Sequence, residues 1–211
     1  MRFNLFCIVV LLLINFAGGA LRAEVITPQN HYSVLKNEVP NAPLVVEFFS
    51  FYCRHCAFLE NEFDISKKIN EMLPTGEYVT KYHVSQMGCK GEQLTEAWSI
   101  AKILGVESLV EKKIFNAVQI KQDINRDILR GIFIDSGVPG ERYDVAANSF
   151  AVKGLTIRQN QAVKDFDVTG TPSLIIKGKY LVKISSFNNT SPQTFSDDLV
   201  ALVMYLINKN E

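Results

Sequence analysis

Cysteine is scarce in this chain. Four occur among 211 residues, and Cys7 lies in an N-terminal stretch that reads as cleavable, which leaves Cys53, Cys56 and Cys89. Three cysteines do not build the dense disulfide framework of a small secreted domain. Excess charge is also missing: 22 Lys and Arg face 22 Asp and Glu, a balance that gives no ground for nucleic-acid or membrane-surface binding. There is no repeat, no low-complexity segment and no second C-x-x-C to complete a common zinc pattern. Nor does any apolar run approach the roughly 18 residues of a membrane span; Leu5 to Ile14 has ten.

That short run follows Arg2 and leads to the small residues Ala17, Gly18, Gly19 and Ala20. The pattern predicts a secretory signal peptide over residues 1–23, cleaved after Ala20 or Ala23. Its removal takes Arg2 and Arg22 away and leaves a net charge near −2 over 188 residues. A chain of that length suits one domain with an insertion and buries a core without disulfide staples.

Val25–Thr27 is compatible with a short first strand, and Leu44–Ser50 is an apolar run of strand length. From Cys53 the spacing turns helical, through Cys56, Leu59, Phe63, Ile65, Ile69 and Met72, and predicts one long helix up to Pro74. Tyr78–Val84 alternates and is rich in β-branched and aromatic residues, a second core strand. Strand, helix and strand make a βαβ unit, whose right-handed crossover leaves the two strands parallel. Four helical segments follow, Gln93–Leu104, Ser108–Ile120, Asn125–Asp135 and Tyr143–Lys153, with breaks at Gly105, Gly137, Pro139 and Gly140. A further helix, Thr156–Phe166, precedes a hairpin of Ser173–Lys177 and Tyr180–Lys183 around a Gly-Lys turn, and Phe195–Ile207 closes the chain as an amphipathic helix.

The pair in F-F-S-F-Y-C-R-H-C-A-F-L therefore stands at a strand-to-helix junction. C-x-x-C alone is open to three uses: half a metal site, a structural clip or a redox centre. A redox cysteine must be a thiolate to attack, and a helix start supplies unsatisfied N–H groups and the positive end of the dipole. Arg54 adds a fixed positive charge, and His55 adds N–H donors or a charge when protonated. Cys53 is then the exposed nucleophile and Cys56, turned inward, its resolving partner. Stabilising the thiolate stabilises the reduced pair, so the disulfide becomes a stronger oxidant. Pro172, at the head of S-L-I-I, cannot donate to a sheet and marks a loop entering a strand, through a trans or a cis bond. Glu47 is the only ionisable residue in its apolar strand. Turned inward without a partner it would have a raised pKa and could exchange protons with a thiol; turned outward it is a solvated strand residue. His31 and His83 read as surface or satisfied strand histidines, Trp98 as core and Cys89 as an unpaired thiol.

The stretch E-F-F-S-F-Y-C-R-H-C, the strand Y-V-T-K-Y-H-V, the segments L-T-E-A-W-S-I-A-K-I-L-G-V-E and Y-D-V-A-A-N-S-F-A-V-K, and G-T-P before a hairpin resemble, in order, the DsbA family of bacterial periplasmic dithiol oxidases. The resemblance spans nearly the whole mature chain. It implies an α/β thioredoxin fold with a helical domain inserted after the central βαβ unit, with thioredoxin-like parts at 24–85 and 154–211 and the insertion at 86–153. It carries Cys53 over as nucleophile, Cys56 as resolving cysteine, His55 as the thiolate-stabilising residue, Glu47 as a buried acid and Pro172 as a cis-proline facing the pair. Thr171 precedes that proline, where the backbone pairs with an extended substrate. Also implied are the periplasm of a Gram-negative bacterium, exported client proteins with free cysteines, and reoxidation by a DsbB-like quinone-linked inner-membrane protein; the chain is expected to be a monomer, and its charge balance predicts no nucleic-acid partner. No cofactor is expected, because the two sulfurs carry the electrons.

Two residues depart from the family pattern. Arg54 replaces the proline of Pro-His, and threonine replaces valine before the cis-proline, which points to an oxidase of altered potential or client range. An isomerase or reductase on the same fold is the nearest alternative, although the segment before the first core strand leaves no room for a dimerisation domain. Zinc held by Cys53, Cys56, His83 and Cys89 is the alternative from another class.

Overall fold

The computed structural model describes residues 30–120, 124–187 and 191–210. The signal peptide and the strand expected at Val25–Thr27 lie outside them. The strands are β1 (Tyr32–Val34), β2 (Val45–Phe49), β3 (Thr80–His83), β4 (Ser173–Ile176) and β5 (Tyr180–Val182). They form one mixed sheet in the order β1-β5-β4-β2-β3. β2 and β3 are parallel, with Val46 opposite Thr80 and Phe49 opposite His83; the remaining neighbours are antiparallel. All five residues of β2 are buried. A strand covered on both faces has no need of polar alternation, which is why V-V-E-F-F reads as a continuous run.

The parity of β2 decides what each residue meets. Val46 and Phe48 pack with Tyr82, Phe166 and Ile175 on one face, whereas Val45 and Phe49 enter two separate cores on the other. Glu47 shares the side of Val45 and Phe49, which is the side of the helices that follow β2.

Those helices are α1 (Arg54–Asn61) and α2 (Ile65–Met72), where the spacing predicts a single helix. The chain breaks at Asp64, whose φ of 50° is left-handed. Asp64 makes no capping bond. Instead the Glu60 carboxylate accepts from the Ser66 N–H (3.3 Å) and hydroxyl (2.6 Å), closing the first turn of α2 from inside the protein. The break was foreshadowed by the step of two from Phe63 to Ile65, which no single helical face accommodates.

Between β3 and β4 lie α3 (Gly91–Leu104), α4 (Glu107–Ile120), α5 (Arg126–Ile134), α6 (Gly140–Ala147) and α7 (Phe150–Asp165). The expected helices Tyr143–Lys153 and Thr156–Phe166 are divided elsewhere. Ser149 accepts from the Val152 N–H (3.2 Å) and starts a new helix there. α7 then runs unbroken through residues 153 and 154, where the insertion was expected to end. It ties both parts together, since Gln159 accepts from the His83 N–H (2.8 Å) and donates to Thr95 O and Ser99 Oγ on α3. The β4–β5 hairpin turns through Lys177 and Gly178, both with positive φ. A Cβ on Gly178 would stand 2.2 Å from the Val39 carbonyl oxygen, so this tight approach requires glycine. α8 (Pro192–Asn208) covers the sheet with Leu199, Leu202, Val203 and Leu206. The result is a thioredoxin fold carrying a helical insertion.

Candidate active site

Cys53 occupies the N-cap of α1 with extended backbone (φ −81°, ψ 113°), and its sulfur takes the part usually played by a serine or aspartate oxygen. Cys53 Sγ accepts from the Cys56 N–H at 3.1 Å. The preceding loop is pinned from three directions. Tyr52 N–H donates to Ser50 Oγ, Phe51 N–H donates to His83 Nε2, and the Phe51 carbonyl accepts from Gln119 of α4. Both cysteines are free thiols in this state.

Cys53 keeps 6 % of its surface and Cys56 none. The nucleophile expected to be exposed is thus recessed, because its sulfur turns toward the helix start and Thr171. The Cys53 pKa is lowered to about 6. The hydrogen bond with the Cys56 side chain lowers it most, burial opposes, and the Thr171 side chain and the main-chain N–H groups of Cys56 and His55 add to the lowering. It is therefore the main-chain N–H of His55 that acts on the sulfur. The Arg54 and His55 side chains are exposed, and the charge expected from them is not among the causes. Burial drives the Cys56 thiol far up, reinforced by Cys53 and by Glu47.

The Thr171–Pro172 bond is cis. The Thr171 carbonyl lies 3.4 Å from Cys53 Sγ and accepts from it when the thiol is protonated. The Thr171 hydroxyl donates to Met87 Sδ (3.0 Å), which ties the proline loop to the loop after β3. In that second loop Cys89 is exposed and meets Tyr52 Oη at 3.6 Å.

Glu47 is buried but not without a partner, as the inward alternative had it. Lys81 Nζ lies 3.3 Å from Glu47 Oε2, and Ser66 Oγ stands 3.0 Å from the same oxygen, within hydrogen-bond distance. Glu47 Oε1 has no hydrogen-bond partner among the described residues. Burial raises the Glu47 pKa, Lys81 lowers it and Glu60 raises it again. Lys81 also pairs with Glu60 and Glu111. Spacing concealed this cluster; the one signal was a charge on the inner stripe of α1, Glu60 beside Leu59. His83 is buried and satisfied: Nε2 accepts from Phe51, so Nδ1 carries the proton toward Thr95 Oγ1 (2.7 Å). Burial lowers its pKa to about 3. With both ring nitrogens engaged His83 is a poor zinc ligand, and no group of three metal-ligating side chains is gathered among the described residues.

Beside the pair, His55, Phe58, Pro172, Leu181, Ile184 and Phe195 help line a cavity of about 450 Å³. Phe58 is 49 % exposed there. An apolar hollow bordered by a cis-proline loop and a low-pKa thiol suits an extended peptide that brings a cysteine to Cys53.

The comparisons with known proteins agree with this geometry. The DSBA-like thioredoxin domain family matches residues 44–200. Thiol:disulfide interchange protein DsbA of Salmonella typhimurium is 39 % identical over 188 residues, covering 89 % of this chain and 91 % of the relative. DsbA of Escherichia coli K12 is 38 % identical over 200 residues, covering 94 % and 95 %. Among solved structures, Proteus mirabilis DsbA with a non-covalently bound peptide superposes with a TM-score of 0.82 at 36 % identity, covering 87 % of this chain and 99 % of that one. SrgA from Salmonella enterica serovar Typhimurium superposes with a TM-score of 0.79 at 32 % identity, covering 84 % and 99 %. With an N-capping thiol of lowered pKa above a fully buried one, and with this likeness over most of its length, the chain belongs to the DsbA-like thioredoxin-domain family of thiol:disulfide oxidoreductases.

Proposed function

We propose that the mature protein works in the periplasm as a disulfide donor to exported proteins, with Cys53 and Cys56 as its redox pair. The lowered pKa of Cys53 is the observation that carries this direction. A client thiolate attacks Cys53 Sγ of the oxidised pair, the Cys53–Cys56 bond breaks, and Cys56 leaves as a thiolate. Because Cys56 holds a proton tightly, it takes one at once, and the buried carboxyl of Glu47 is its donor. A second client thiolate attacks the client sulfur of the mixed disulfide, and Cys53 leaves as the stabilised thiolate. Two electrons pass from client to enzyme; of the two client thiol protons, one is balanced on Cys56 and one is released.

Thr171 and Pro172 form the edge along which the client backbone lies, and the apolar cavity takes its side chains, as the peptide bound to the Proteus mirabilis relative suggests. Arg54 and His55 stand exposed at the rim, where they meet the client rather than the sulfur. Reoxidation falls to a DsbB-like quinone-linked membrane protein, and no further cofactor is needed. The test is the redox equilibrium of the mature protein against glutathione, read by thiol alkylation. A pair reduced at potentials well above the glutathione couple supports donation. A pair that stays oxidised down to thioredoxin-like potentials refutes it in favour of a reductase. Cys53→Ser abolishes turnover, and Cys56→Ser accumulates mixed disulfides.

A further inference from the structure

Three buried carboxylates share one ammonium, and they come from three different elements: Glu47 from β2, Glu60 from α1 and Glu111 from α4. Lys81 Nζ is 3.3 Å from Glu47 Oε2 and 3.1 Å from Glu60 Oε1, and it is closest of all to Glu111 Oε1. The four side chains are 6 to 11 % exposed. One cation cannot neutralise three anions away from water, so the cluster retains protons. Ser66 gives an independent sign of this. Its hydroxyl meets Glu60 Oε1 at 2.6 Å and Glu47 Oε2 at 3.0 Å but has a single proton to donate. A carboxyl proton on Glu47 pointing back at Ser66 satisfies the second contact.

We propose that Glu111 is a positioning residue for the redox pair: by taking up the Lys81 charge it keeps Glu47, whose charge acts on Cys56, protonated, so the helical insertion governs the proton supply of disulfide exchange. This rests on Glu47 being the proton donor to Cys56. Glu60, Lys81 and Glu111 line a cavity of about 470 Å³, whereas Glu47 does not. Glu111 therefore exchanges protons through that cavity, and Glu47 feels the result through Lys81.

Other charges face the same space. Lys102 of α3 stands over the Trp98 ring, Glu107 and Lys112 come from α4 itself with Lys112 held by Asp64, and Lys67 of α2 pairs with Glu71. None of these reaches Lys81 in an ion pair. Burial raises Glu111 to about 7 against the pull of Lys81. As pH rises through that value Glu111 gains charge and draws Lys81 to itself. Glu47 then holds its proton at a pH where it would otherwise release it.

The experiment is the rate at which a small thiol opens the Cys53–Cys56 disulfide, divided by the thiol's own thiolate fraction, from pH 6 to pH 8. In the native protein the corrected rate stays level within about twofold. In Glu111→Gln the amide frees Lys81 for Glu47, and the corrected rate falls about threefold to tenfold by pH 8. Glu111→Asp, which keeps the charge, restores much of the level profile. A level profile in Glu111→Gln overturns the proposal. Glu47→Gln separates the two readings: an unchanged rate there refutes Glu47 as donor, whereas a slowed Glu47→Gln beside a level Glu111→Gln refutes only the role of Glu111. Should Glu111→Gln fail to fold, carboxyl NMR of the native protein decides. Glu111 titrating while Glu47 keeps its proton supports the proposal, and both ionising together refutes it.

Discussion

Acidification from pH 8 to pH 5 isolates the contribution of Cys53, because that thiol exists only in the reduced protein. Its pKa is depressed from 9.0 to about 6, so the stability it contributes is fully present above pH 9 and is lost as pH falls through 6. At pH 7 about 90 % of Cys53 is thiolate, against about 1 % of an ordinary thiol. Linkage gives an upper limit of about 2.6 kcal/mol for the stability that the reduced form loses, relative to the oxidised form, between pH 8 and pH 5. Water at the rim screens part of this and leaves about 1–2 kcal/mol. Urea midpoints of both forms at each pH measure it, since Glu111 and His83 are common to the two. The redox potential carries the same signature. Above pH 6 reduction takes up one proton and the potential falls about 30 mV per pH unit; below pH 6 it takes up two and falls about 59 mV. A slope near 59 mV persisting to pH 8 would refute the low pKa, and with it the physical basis for donation.

Further expectations rest on separate parts of the structure. Arg54→Ala moves the Cys53 pKa by less than about 0.5, because an exposed guanidinium is screened and main-chain N–H groups hold the sulfur; ultraviolet titration of the thiolate reads this directly. Lys81→Met leaves the buried Glu47, Glu60 and Glu111 side chains without their shared cation and costs about 3–5 kcal/mol at pH 8, less at pH 5, below the value of about 7 to which burial raises Glu111, as urea unfolding at both pH values shows. Gly88→Ala costs about 1–3 kcal/mol by the same assay, since a Cβ there would lie 2.3 Å from the Tyr52 ring at a φ of +73°. Phe58→Ala removes an apolar wall of the cavity beside Pro172 and raises KM for a cysteine peptide about threefold to tenfold at nearly constant kcat.

Local order made much of the molecule readable from residue types alone. The strand-to-helix junction at Cys53, the run Leu44–Ser50, the hairpin after Pro172 and the final amphipathic helix each announce themselves through spacing, because periodicity records which faces of an element are covered. The same periodicity says nothing about what covers them. The α1–α2 break depends on a carboxylate inside the fold, and the new start at Ser149 on a cap that the apolar pattern overruns. Glu47 was ambiguous along its strand; β2 places it opposite Lys81, and Glu60 and Glu111 arrive at that cation from segments 13 and 64 residues farther along the chain. Proton affinities follow the same division. That Cys53 sits at a helix start could be read from order along the chain, whereas the neutral His83, the raised Glu47 and the N–H groups that outweigh Arg54 arise from desolvation and contact between distant segments, which exist only once the chain has folded.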